Sequence, residues 1–199
     1  MSTRPALRVL GIDPGLTRCG YAVVEADGPR SLRPLALGVL RTPPSAPLPQ
    51  RLAELRGELA ALIAEFRPDA VAVEQVFFQV NVRTAMSVGQ ASGLALAEAA
   101  AAGCEVVQYT PNQVKNAIAG WGGAGKEQVQ KMVQARLGLA SVPEPPDAAD
   151  AAALALCHLA MAPMAAQVRR AAAASGGTTT GRTTTGGTVT TATAQEVVG

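Results

Sequence analysis

The sequence predicts an α/β fold, with an antiparallel three-stranded meander followed by helices alternating with two further strands in one mixed five-stranded sheet. Two observations carry this. Short apolar runs bounded by Gly and Pro turns fill the first 40 residues, and apolar positions at helical spacing alternate with short apolar strands after them. A third observation limits the extent of the fold: after about residue 167 the composition shifts to Ala, Gly and Thr without an apolar period.

The elements follow in order. Residues 8–13 read as a buried strand that turns at Pro14-Gly15. Residues 19–25 and 35–40 are two further strands, with Gly28-Pro29 as the turn between them. Leu48, Leu52, Leu55, Leu59, Leu62, Ile63 and Phe66 recur at helical spacing, and Pro68 stops that helix. Residues 70–76 form a strand that is apolar except for Glu74. Residues 83–102 form a helix rich in Ala, Gly and Ser, and 104–109 a fifth strand. A short helix begins at Pro111, where proline is tolerated in the first turn. A glycine-rich loop, 120–125, leads to a helix over 126–137, and Pro143–Pro146 separates that from a last helix over about 147–161. The expected organisation is a domain over residues 1–166 and a low-complexity, disordered tail over 167–199, which has too little apolar surface to offset its ordering entropy.

Composition excludes several classes. The three cysteines are widely spaced, odd in number and without a CxxC or Cys/His cluster, which argues against a disulfide framework or a zinc site. No secretory signal or membrane span is legible, so the expected location is the cytoplasm. The net charge of +2 alone does not identify a nucleic-acid binder. The distribution is more informative, because the only three lysines, Lys115, Lys126 and Lys131, lie within seventeen residues of one another. Such a cluster can hold phosphates, and it is equally readable as a solvated helix face.

Four acids stand out. Asp13 closes an apolar strand at a tight turn, which puts its carboxylate at the rim of the sheet. Glu74 interrupts a strand expected to be central, where an unpaired carboxylate is costly; a metal ion or an arginine would compensate it. Asp147 and Asp150, three apart, share one helix face. Asp147 also reads as a helix cap, and Asp150 as an acid favoured by the helix dipole. Acids on two strand ends and one helix N-terminus can converge on hard cations such as Mg²⁺ or Mn²⁺, and two such ions suit phosphodiester hydrolysis. His158, the only histidine, reads as a packed helix residue.

The segments Gly11-Ile12-Asp13-Pro14-Gly15, Glu74-Gln75-Val76-Phe77 and Asp147-Ala148-Ala149-Asp150-Ala151 occur in that order. Between them lie Gly89-Gln90-Ala91, Gln113-Val114-Lys115, and Lys126 with Gln128-Val129. Over about residues 8–163 this ordered set resembles the RuvC family of crossover-junction (Holliday junction) resolvases. The resemblance implies a ribonuclease-H-like fold and a homodimer that makes paired nicks in four-way DNA junctions with two Mg²⁺ ions per subunit, Mn²⁺ substituting. It also implies cooperation with the RuvA–RuvB branch-migration complex. The family's metal-binding acids map onto Asp13, Glu74, Asp147 and Asp150, the third being histidine in some relatives. Its DNA-channel lysines map onto Lys115 and Lys126, and its junction-stacking aromatic maps onto Phe77. Phe78, Arg83 and Trp121 depart from the family pattern; Arg83 adds a charge beside the Phe77 loop and is a further DNA-binding candidate.

The competing readings are another ribonuclease-H-like nuclease, a junction-binding module without catalysis, and an ATP-binding domain of the actin/sugar-kinase kind. The first motif alone fits the last of these, but no second phosphate turn is present. All four acids are present, which argues against the second.

Overall fold

A computed structural model describes residues 6–28, 31–75 and 82–175, without the side chains of 82–84 and 163–175. The strands are β1 (Leu7–Asp13), β2 (Arg18–Gly28), β3 (Ser31–Arg41), β4 (Ala70–Glu74) and β5 (Glu105–Tyr109). The helices are α1 (Leu48–Phe66), α2 (Val82–Ala101), α3 (Pro111–Ala119), α4 (Lys126–Leu137) and α5 (Pro146–Ser175). The sheet order is β3-β2-β1-β4-β5, with β1–β2 and β2–β3 antiparallel and β1–β4 and β4–β5 parallel. This is the mixed five-stranded sheet with flanking helices expected from the pattern.

Strands β2 and β3 run longer than the apolar runs suggested. Their outer ends are held by charge pairing: Glu25 lies opposite Arg8 on one side and Arg33 on the other, and bonds to both. Pro34 is accommodated because β3 is an edge strand, where a missing donor breaks no inner ladder. Helix α1 ends with Arg67 in the left-handed region (φ 45) before Pro68. Helix α3 begins with the reciprocal Thr110–Gln113 capping box and ends at Gly120 (φ 84).

Strand alternation sorts the core into two faces. Leu10, Ile12, Val23, Val71 and Val73 pack with Leu55, Leu59 and Ile63 of α1 and with Ala91, Ala95 and Ala99 of α2. Val9, Ala22, Val24, Ala70 and Ala72 face α3, α4 and α5. The second face is built from small residues, and α5 lies very close to it. A Cβ placed on Gly11 would sit 2.0 Å from the Ala151 carbonyl oxygen, and one on Gly20 would sit 2.1 Å from the Asp147 carbonyl oxygen. Alanines 148, 149, 151, 152, 153 and 155 of α5 are all buried.

The chain divides into two units, residues 1–165 and 166–199. Helix α5 extends to Ser175, beyond the end expected near Met161, so residues 167–175 are helical where a disordered tail was expected. Alanine, the strongest helix former, dominates that stretch, and the apolar period that was sought there is not needed for helix. The remainder of the expected tail, 176–199, lies outside the described residues, as does the Gly28-Pro29 turn beyond Gly28. Among the described residues, no helix is long and apolar enough to cross a membrane.

Candidate metal centre and nucleic-acid interface

The same alternation that builds the small-residue face delivers its acids. Asp13 follows Val9 and Gly11 on β1, and Glu74 follows Ala70 and Ala72 on β4. Each is one residue past the last parallel pair, Ile12 with Val73, so the two carboxylates leave adjacent strand ends toward α5. Helix α5 presents Asp147 in its first turn and Asp150 one turn on. Gly20, paired with Asp13 across β1–β2, has the Asp147 carbonyl where a side chain would be. The two glycines thus let α5 seat its acids over the strand ends.

The electrostatics show how closely the acids converge. Burial, then the nearby Glu74, Asp150 and Asp147 carboxylates, push the Asp13 carboxyl up to about 7, against a small opposing pull from Lys126. Burial and Asp150 also raise Glu74, while Lys126 and a hydrogen bond donated by Asp13 act the other way. A cation inserted among these groups would relieve both the desolvation and the mutual repulsion.

Two protein cations already touch the cluster. Lys126 Nζ donates to Asp150 Oδ2 at 2.6 Å, a bond that holds the ammonium charged. Arg18, at the start of β2, donates to Asp147 Oδ2 from Nη2 at 2.5 Å and from Nε at 3.1 Å. Among the described residues, no three acids, histidines or cysteines are gathered tightly enough to share an ion in this conformation. The donor chemistry nonetheless fits a hard cation: four carboxylates, oxygen ligands only, with Asp13 and Glu74 destabilised as anions by burial.

The structure brings together Asp13, Glu74, Asp147, Asp150 and Lys126. Among the described residues, the cation acting on Glu74 is Lys126. The side chain of Asp147 bonds to Arg18 and lies within the first turn of the helix, where a cap would precede it. Lys115 lies half-buried on α3 and is not among the charges acting on Asp13 or Glu74. Phe77 and Phe78 lie outside the described residues; Arg83 falls within α2, but its side chain does too. His158 is buried and pairs through Nδ1 with the Tyr109 hydroxyl at 3.0 Å, as a packed residue should. Trp121 is 55% exposed, its ring lying where a Gly123 side chain would project. Sequence reasoning missed Arg18. Its partner is 129 residues away, and no local motif announces such a pair.

A family model described as crossover junction endodeoxyribonuclease RuvC matches residues 9–158. The chain is 52% identical over 157 residues to the crossover junction endodeoxyribonuclease RuvC of Chloroflexus aggregans, covering 79% of this chain and 95% of that one. It is 54% identical over 153 residues to the Salinispora arenicola protein of the same name, covering 77% and 87%. The Thermus thermophilus RuvC structure in complex with a Holliday junction substrate matches with a TM-score of 0.76 at 42% identity, covering 80% of this chain and 96% of that one. The yeast mitochondrial Holliday junction resolvase, 16% identical, shares the fold with a TM-score of 0.62 over 87% of this chain and 88% of its own. A chain matched by this model over most of its length, with relatives above half identity, belongs to the crossover junction endodeoxyribonuclease RuvC family.

Proposed function

We propose that Asp13, Glu74, Asp147 and Asp150 hold two Mg²⁺ ions, for which Mn²⁺ can substitute, and that the chain uses them to nick the strands of a four-way DNA junction. As a member of its family the chain is a metal-dependent endonuclease, a hydrolase that resolves Holliday junctions in recombination and repair. The observation that carries the site assignment is the convergence of two strand-end carboxylates with two from the first turns of α5, which adds to burial in raising the Asp13 carboxyl to about 7.

The ions, when bound, would supply the charge that favours attack on the phosphodiester and stabilises the leaving oxygen. The chain's own part is positional. Asp13 and Glu74 are fixed by strands in the middle of the sheet, and Asp147 and Asp150 by a helix locked to that sheet through Gly11 and Gly20. Lys126 stands beside the cluster and Lys115 on α3, where each offers a charge to the DNA backbone independent of base identity. Phe77, with Arg83 beside it, is the proposed contact to unpaired bases at the crossover, stacking being worth roughly 1–3 kcal/mol per base.

Paired nicks require two sites related by a two-fold axis, which a homodimer provides. Helix α2 suits this role. Its Ala91, Ala95 and Ala99 are buried against the sheet and α1, while Met86 and Gly93 face outward. Among the described residues, nothing lies within 4 Å of where a side chain on Gly89 or Gly93 would be, so a second helix could approach closely. Cooperation with the RuvA–RuvB complex and a cytoplasmic location belong to the same reading. So does a nuclease domain confined to residues 1–166, with truncation after Ser175 expected to leave cleavage unchanged.

Synthetic four-way junction, linear duplex and RNA–DNA hybrid, each incubated with the protein and Mg²⁺, test the reading. Only the junction should yield paired symmetric nicks. Preferential cutting of the hybrid would instead favour another ribonuclease-H-like nuclease.

A further inference from the structure

Two cations flank the acid cluster from opposite elements. Lys126, at the first position of α4, takes an oxygen of Asp150, and Arg18, at the start of β2, takes one of Asp147 with two donors. Lys126 has a counterpart in the family pattern, whereas Arg18 has none among the motifs. Arg18 shares its strand face with Gly20, Ala22 and Val24, so the backbone aims it at the α5 side of the sheet. Its side chain is 40% exposed and that of Asp147 is 27% exposed, which puts the pair at the rim of the cluster.

The arrangement has a consequence for metal entry. Both donors of Arg18 fall on Asp147 Oδ2 and engage its lone pairs, so an ion that takes this oxygen competes with the guanidinium. With both pairs closed, no three acids among the described residues are arranged to share an ion. A divalent ion entering the cluster would compete with the guanidinium for Asp147. The displaced guanidinium would then be a planar, permanently charged fork beside the acids, with geometry suited to a phosphate.

We propose that Arg18 is an exchange cation for the nuclease site: it neutralises Asp147 while the site is metal-free, yields Asp147 to the entering ion, and transfers to a backbone phosphate of the junction strand being cut. This rests on the reading of the four acids as metal ligands. Metal and DNA binding are then coupled through one side chain, because the group that yields Asp147 to the ion is the group that meets the DNA.

The decisive measurement is titration of Mn²⁺ into the metal-free, DNA-free protein, with free Mn²⁺ followed by electron paramagnetic resonance. Removing the competitor in Arg18→Gln should tighten Mn²⁺ binding about two- to five-fold, the range a partly exposed ion pair supports. Arg18→Lys, which keeps the charge, should stay within about twofold of wild type, separating the effect from a folding defect. In single-turnover nicking with Mg²⁺, Arg18→Gln should need about ten times more junction for half-maximal rate, with a salt slope lower by about 1. Unchanged or weaker Mn²⁺ binding by a folded Arg18→Gln overturns the exchange, since a residue that only props Asp147 in place would weaken it. If wild type binds no Mn²⁺, or Asp13→Asn binds it as wild type does, the metal-site reading itself fails and the exchange falls with it.

Discussion

The two faces of the sheet are built to different specifications. One packs Leu10, Ile12, Val71 and Val73 against leucines of α1 and alanines of α2, and carries no acid of the candidate site. The other packs glycine and alanine against an alanine-rich α5, and it delivers all four acids. Large aliphatic side chains give the first face its hydrophobic stabilisation. Small residues give the second a close backbone approach, which sets carboxylates from two strands and one helix within electrostatic reach of one another. The difference separates the part of the molecule that mainly holds it together from the part that mainly aims its chemistry, and substitutions on each face should divide accordingly.

The largest effect is expected from Gly11→Val. Its Cβ would overlap the Ala151 carbonyl, so α5 must lift from the sheet. Overpacking of this kind should cost about 3 kcal/mol or more. Displacing Asp147 and Asp150 by a fraction of a helix turn should lower junction nicking roughly a hundredfold. Denaturant unfolding and single-turnover cleavage measured on the same preparation would check both.

Leu59→Ala, on the other face, should cost a similar 2–5 kcal/mol, estimated roughly from cavity formation, while leaving the cleavage rate of the folded protein within about twofold of wild type. A matching loss of activity at a temperature where the variant is fully folded would erase the distinction between the faces.

A smaller effect concerns pH. The Asp13 carboxyl sits near 7 in the folded protein and near 3.8 without its surroundings, so the folded state binds the extra proton between those values. Stability of the metal-free protein should therefore fall as pH rises from about 4 to 7, by on the order of 3 kcal/mol. Asp13→Asn should flatten much of that slope, and a divalent ion should restore stability at neutral pH. Thermal melts from pH 4 to 8, with and without Mg²⁺, would show it.

The smallest effect is Lys115→Ala, expected to weaken junction binding a few-fold and lower the salt slope by about 1. An unchanged slope would remove Lys115 from the phosphate contacts.

The sequence disclosed the two faces unequally. The leucine period of α1 predicted its Leu48–Phe66 span, because large side chains at helical spacing are a direct signal. Asp13 and Glu74 were visible as charges in otherwise apolar strands, where physics demands a reason for them. The close approach at Gly11 and Gly20 was not visible, because a glycine does not announce which backbone passes over it. Arg18 was invisible for a related reason, as its partner is distant in sequence and only the seating of α5 brings it near. The end of α5 was misjudged because an alanine run carries helix propensity without amphipathic pattern.

The central claim is that the four converging carboxylates form the metal site that cuts the junction. Asp13→Asn tests it most directly, through gel-shift binding and Mg²⁺-dependent nicking of one synthetic four-way junction. The account predicts binding close to wild type and nicking reduced on the order of a thousandfold or more. Nicking at the wild-type rate by a folded Asp13→Asn protein would contradict it.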